Sequence, residues 1–119
     1  MARQLNAGER GSNAERVAQH FLERHGLRLL DANWRSRRGE IDLVMKDPSG
    51  VIVFVEVRYR GTGAWADGAT SVTATKQRRL IATAQAWLQR HGPDRPCRFD
   101  VVSVNGNGSP DWIVNAFGT

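Results

Sequence analysis

Cysteine is almost missing from this chain. A single one, Cys97, among 119 residues excludes an internal disulfide framework and any zinc site built from thiolates. Long apolar runs are missing too, and no segment has the roughly 18 consecutive apolar residues of a membrane span. Met1 to Glu9 lacks the apolar stretch of a secretory signal. These absences predict a reducing, cytoplasmic setting with no membrane partner. Lysine is scarce as well: Lys46 and Lys76 are the only two among 17 basic residues.

What is present is arginine. The net charge of +5 and a pI near 10.6 favour a polyanionic partner. The planar guanidinium fork matches phosphate, although a GC-rich genome also trades lysine for arginine. At 119 residues, 40% of them hydrophobic, the chain is expected to form one domain over 1–119, with residues 1–10 flexible.

Periodicity divides the domain into seven elements. Ala14, Val17, Ala18, Phe21 and Leu22 share one helical face, with Ser12 or Asn13 as cap and Gly26 as the left-handed stop. Leu27 to Leu30 reads as a short strand leading into the polar stretch Asp31 to Arg38. Strands follow over Glu40 to Lys46 and Val51 to Arg60, with the glycine-rich loop Gly61 to Ala69 after them. A second helix, from about Thr73 to His91, presents Leu80, Ile81, Ala84, Trp87 and Leu88 and ends at Gly92-Pro93. Arg98 to Val104 is a strand, and Trp112 to Phe117 a last strand or extended tail. The order αβββαββ implies an α/β fold, a mixed sheet with two helices packed on it.

The turn Asp47-Pro48-Ser49-Gly50 carries the most informative inference. A three-residue loop with glycine in the left-handed position of a bulge pairs Asp47 with Val51. Met45 then faces Val53, Val44 faces Phe54, and Asp42 faces Glu56. The same face carries Glu40 opposite Arg58. A four-residue loop would instead put Asp42 opposite Val55. Directly opposed carboxylates repel, and a divalent cation reverses the sign. The competing reading makes them edge charges facing water, with Glu56 paired to Arg58 or Arg60. Against this, Glu56 interrupts an apolar run, and a charge in a buried strand has a partner. Glu15, at the rim of the first helix's apolar stripe, is a third candidate for the same ion, and equally an exposed helix charge.

Arg35, Arg37, Arg38, Arg60, Arg78 and Arg79 are candidates for phosphate contacts. Trp65 in the glycine-rich loop can stack on a base, whereas Trp34, Trp87 and Trp112 read as core. Lys76 reads first as a solvated helix lysine and second as a nucleic-acid contact, or as a lysine that substitutes from another element for one absent beside Glu56 on its strand. His20, His25 and His91 lack metal-ligand spacing, and Asp100 alternates with Arg98 as a local pair or an active-site neighbour.

The ordered motifs Ala14-Glu15, Asn33-Trp34-Arg35, Gly39-Glu40-Ile41-Asp42, Phe54 to Arg60, Lys76-Gln77 with Arg79-Leu80, Arg98 to Val102 and Asn115-Ala116-Phe117 closely resemble the YraN-type family of uncharacterised bacterial proteins. That family looks like part of the PD-(D/E)XK nuclease superfamily and is similar to archaeal Holliday-junction resolvases. The resemblance implies a restriction-endonuclease-like αβββαβ core and a magnesium- or manganese-dependent phosphodiester hydrolase. Its implied substrate is DNA rather than RNA, branched DNA included, and resolvases of this fold act as homodimers. It implies catalytic roles for Asp42, Glu56, Arg58 and Glu15, with Asp42, Glu56 and Glu15 on the metal. Two positions depart from the family pattern: Arg58 stands where lysine is usual, and Ala14 where glycine is usual. A non-catalytic nucleic-acid-binding module of the same fold is the alternative, and a subunit docking on a partner protein is a third.

Overall fold

A computed structural model describes residues 7–60, 72–106 and 110–118, with side chains from Asn13 onward except that of Arg60. The elements are α1 (Ala7–Arg24), β1 (Arg28–Ser36), β2 (Gly39–Lys46), β3 (Ile52–Arg60), α2 (Ala74–His91), β4 (Cys97–Asn105) and β5 (Asp111–Phe117). The strands form one sheet in sequence order, antiparallel except for the parallel pair β3–β4, which α2 connects. A parallel pair requires such a crossover, because its strands begin at the same end of the sheet. The αβββαβ core expected from the resemblance is present, with β5 added at the edge. No helix among the described residues is long and apolar enough to cross a membrane.

Alternation along β3 sorts the core into two layers. Ile52 and Phe54 pack with Leu80, Ala84, Trp87 and Leu88 of α2, while Val53 and Val55 pack with Ala14, Ala18 and Leu22 of α1. The helical stripes read from the sequence are these two buried faces. Trp87 is fully buried in the α2 layer, edge-on to Phe54. Trp34 and Trp112 are only partly buried and flank the core.

The hairpin has the expected register, with Met45 on Val53, Val44 on Phe54 and Leu43 on Val55. Gly50 adopts φ +95°, and Asp47 N–H donates to the Val51 carbonyl at 2.9 Å. Asp47 also accepts the N–H groups of Ser49 and Val51, each at 2.9 Å, so the turn is locked by its first residue.

Two boundaries differ from expectation. Helix α1 begins at Ala7 rather than near Ser12; Ala7, Glu9 and Arg10 are adequate helix formers, and a capping residue does not forbid helix upstream of it. The stretch Asp31 to Ser36 is strand, continuing β1, where a polar loop was expected. As an edge strand, β1 is held by its ladder to β2 and exposes many side chains, so its sequence lacks the apolar alternation of an inner strand. The glycine-rich loop, Trp65 included, lies outside the described residues, as do most of the residues expected to be flexible at the N-terminus.

Candidate metal and phosphate site

Asp42 sits where the sheet loses regularity on both sides. Towards β3, the ladder's regular pairs end at Leu43–Val55, one short of Asp42–Glu56. Beyond that point the Asp42 Oδ2 atom accepts the Val57 N–H at 2.8 Å, a bond made by a side chain instead of the neighbouring strand. Towards β1, Asn33 lies between the pairs Ala32–Leu43 and Trp34–Ile41, opposite Asp42, and takes φ +52°. Such a conformation is uncommon outside glycine, with asparagine among the tolerant residues. Ile41 and Val44 both join the α2 layer although three residues apart, so alternation also breaks at Asp42.

Glu56 is an inner-strand residue with its side chain 8% exposed, which overturns the edge-charge reading. Among the described residues its ion-pair partner is not Arg58. Lys76, in the first turn of α2, places Nζ 3.2 Å from Glu56 Oε1 while staying 43% exposed. The lysine is thus an ion-pair partner rather than a purely solvated charge. Its position follows from local chemistry at the helix start. Thr73 caps α2 by accepting the Lys76 N–H on Oγ1 at 3.1 Å, and the Gln77 side chain donates to the Val72 carbonyl at 3.0 Å. Gly39 lets the helix approach the hairpin: a Cβ there would lie 3.1 Å from Thr83 Oγ1.

Asp42, Glu56, Glu40, Thr73, Lys76 and Arg79 line one open cleft of about 460 Å³, with Gly39, Thr75 and Leu80 completing its walls. Burial, and then the neighbouring Glu56 carboxylate, push Asp42 up to about 7; the Val57 N–H opposes the rise and the Glu15 charge adds to it. Two carboxylates held this close in a partly buried site favour either a shared proton or a cation.

Glu15 stands beside this cleft rather than in its wall. It bonds to Asn33, lines a separate hollow of about 180 Å³ with Arg16, Gln19 and Leu43, and is raised by burial and by the charges of Glu40 and Glu56. Among the described residues, no group of three His, Cys, Asp or Glu side chains is arranged to hold a metal ion. Asp42 and Glu56 are two carboxylates in the cleft that could hold a metal, and their hard oxygens would suit magnesium or manganese. Magnesium is commonly bound through one or two carboxylates, with water and substrate phosphate completing its shell.

Other candidates are dispersed. Arg58 follows Glu56 on the α2 face by alternation but does not line the cleft, and Glu40 pairs with Arg35 of β1 at 2.7 Å instead of with Arg58. The cause is the divergence of β2 from β3 past Leu43. Arg37 and Arg38 are exposed, as are Arg78 and Arg79. The three histidines are exposed. Asp100 is fully buried away from the cleft, accepting Arg98 Nε, Trp112 Nε1 and the Asn115 N–H at 2.9–3.1 Å. That network ties β5 to β4, a structural role the local Arg98 pairing only hinted at.

Residues 14–104 match the family described as Uncharacterised protein family UPF0102. A UPF0102 protein of Nitrosomonas europaea is 48% identical over 114 residues, covering 94% of this chain and 96% of its own length. One from Nitrosococcus oceani is 46% identical over 114 residues, covering 92% and 91%. Among solved structures, an EndoMS–dsDNA2 complex is similar with a TM-score of 0.45 and 17% identity, covering 88% of this chain and 37% of that one. A repair endonuclease from Pyrococcus abyssi gives a TM-score of 0.45 and 14% identity, covering 91% and 42%. The chain spans less than half of either structure. With most of its residues matched and relatives aligned nearly end to end, this chain belongs to the UPF0102 family, the YraN-type proteins.

Proposed function

We propose that this chain is a metal-dependent endonuclease that hydrolyses phosphodiester bonds of DNA in the cytoplasm, branched DNA included. The observation that carries the reading is the meeting of Asp42 and Glu56 in a cleft whose opposite wall bears Lys76 and Arg79. A magnesium or manganese ion held by the two carboxylates would activate a water and polarise the scissile phosphate. Asp42 is oriented for this by the Val57 N–H, and Glu56 by its place on the inner strand. Glu15 acts from the rim by orienting Asn33 behind Asp42. Arg79 faces the cleft and supplies a fork for phosphate oxygens, with Arg35, Arg37, Arg38 and Arg78 extending the basic surface along the nucleic-acid backbone. A homodimer would set two such clefts on one branched substrate.

The test is incubation with junction, nicked and linear DNA, and with RNA, in magnesium or manganese. Cutting by the wild type that Glu56→Gln and Asp42→Asn abolish is the expected result. No cutting on any substrate with either metal would overturn it. The absence of a third acidic ligand among the described residues, together with Arg58 in the lysine position, favours the second reading, a binding module that holds nucleic acid without cutting. That module would bind DNA with strong salt dependence, and Asp42→Asn would leave binding unchanged.

A further inference from the structure

Glu56 lies between two neighbours of opposite charge, the Asp42 carboxylate and the Lys76 ammonium. The two acids are fixed: one by the Val57 N–H, the other by burial in an inner strand. Lys76 differs. Its backbone is fixed by the Thr73 cap, but its ammonium hangs on a flexible four-carbon stem that remains 43% exposed. It can leave Glu56 without being buried elsewhere. The first turn of α2 has no acidic residue to recapture it, and Thr73, Thr75 and Arg79 share the cleft wall with it.

We propose that Lys76 is an exchangeable, tethered counter-ion of Glu56, released by a divalent cation and then free to contact a phosphate oxygen of the bound polyanion. The inference rests on the metal-site reading above. An ammonium 3.2 Å from Glu56 Oε1 repels a divalent ion arriving at the same carboxylate, so the two compete for it. A divalent ion brings two positive charges to the Asp42–Glu56 pair against the single charge of the ammonium, and wins at sufficient concentration. The freed ammonium then adds to Arg79 a second positive group on the wall facing the substrate. Metal loading and polyanion binding are thereby coupled through one side chain, and each strengthens the other.

The experiment titrates manganese by calorimetry into wild type, Lys76→Met and Lys76→Arg. Binding of a short fluorescein-labelled DNA duplex follows by anisotropy, with and without calcium. Thermal melts check that each variant is folded. Lys76→Met should bind manganese at least several-fold more tightly than wild type, because the competing charge is gone, while Lys76→Arg stays close to wild type. Calcium should tighten duplex binding by wild type and Lys76→Arg, and much less by Lys76→Met. Equal manganese affinity in wild type and Lys76→Met would overturn the exchange and leave the metal site standing. Tighter manganese binding with unchanged calcium-dependent duplex binding would overturn the phosphate contact alone. Failure of all three proteins to bind manganese would remove the metal site itself, and the exchange with it.

Discussion

The Asp42 carboxylate accepts the Val57 backbone N–H at 2.8 Å, bridging two strands at the point where their regular pairing stops. The bond holds the acid beside Glu56 and also keeps the freed N–H of β3 from being orphaned. An N–H donor stabilises the ionised form, yet burial and the Glu56 charge outweigh it and lift Asp42 to about 7.

Stability of the metal-free protein should therefore fall as pH rises from about 4 to about 7. Asp42 binds its proton more tightly folded than unfolded, so its contribution is complete below the unfolded value of 3.8 and is lost as pH passes about 7. Urea midpoints across this range should decline in wild type and decline less in Asp42→Asn. A flat wild-type profile would contradict the assignment. Asp47 has the opposite sign. The Ser49 hydroxyl foremost, then the Val51 N–H and Arg98, draw it down to about 2 against the effect of burial, so its contribution holds above 3.8 and disappears as pH falls through about 2. Asp47→Asn should reduce sensitivity to acid.

A guanidinium, unlike a lysine amine, is not a proton relay, so arginine at position 58 can only neutralise and position. Lys76 already brings an ammonium to Glu56, and a nuclease at this site need not depend on lysine at position 58. Arg58→Lys should raise the cutting rate only modestly, by less than about tenfold, a change in barrier of roughly 1.4 kcal/mol. Activity arising only in Arg58→Lys, from an inert wild type, would show that the strand cation must exchange a proton.

Gly39→Ala should destabilise the fold by about 1–3 kcal/mol, from its φ of +150° and the 3.1 Å approach of a new Cβ to Thr83 Oγ1. Thr83 is fully buried, and its hydroxyl donates to the Arg79 carbonyl at 2.7 Å. Removing that hydroxyl in Thr83→Ala relieves part of the clash, so the double variant should lose less than the sum of the singles. Chemical denaturation of the four proteins measures the coupling; strict additivity would mean that α2 does not rest on Gly39.

Asp100→Ala should destabilise the fold by roughly 1–3 kcal/mol for each buried donor it leaves unsatisfied, Trp112 Nε1 and the Asn115 N–H, while Arg98 keeps its Asp47 partner at 2.7 Å. Trp112 fluorescence should shift to the red as β5 loosens. An unshifted spectrum at wild-type stability would mean that β5 is anchored by the apolar contacts of Ile113 and Phe117 alone.

The hairpin was readable in advance because its determinants are local. Pro48, Ser49 and Gly50 set the turn, the alternation from Val51 to Val55 sets the faces, and together they brought Asp42 to Glu56. The helical stripes were equally plain, since Ala14, Ala18 and Leu22, or Leu80, Ala84 and Trp87, repeat at helical spacing. The contact of Lys76 with Glu56 was not readable: it spans a crossover and depends on how far α2 descends onto the sheet, which Gly39 and Thr83 set through space. β1 was underread because an edge strand owes its conformation to its neighbour rather than to its own pattern. Glu40 was mispaired because strict alternation was extended past Leu43, where the strands diverge.

The topology also orders the birth of the site in time. Both acids ride on one short hairpin, a unit able to close within microseconds, whereas the lysine arrives only after the chain has crossed the sheet. The nascent hairpin therefore carries an unbalanced acidic pair until the crossover helix docks. Refolding in mild acid, where Asp42 can take up a proton as burial and Glu56 close around it, should relieve that repulsion and proceed faster than refolding in mild alkali.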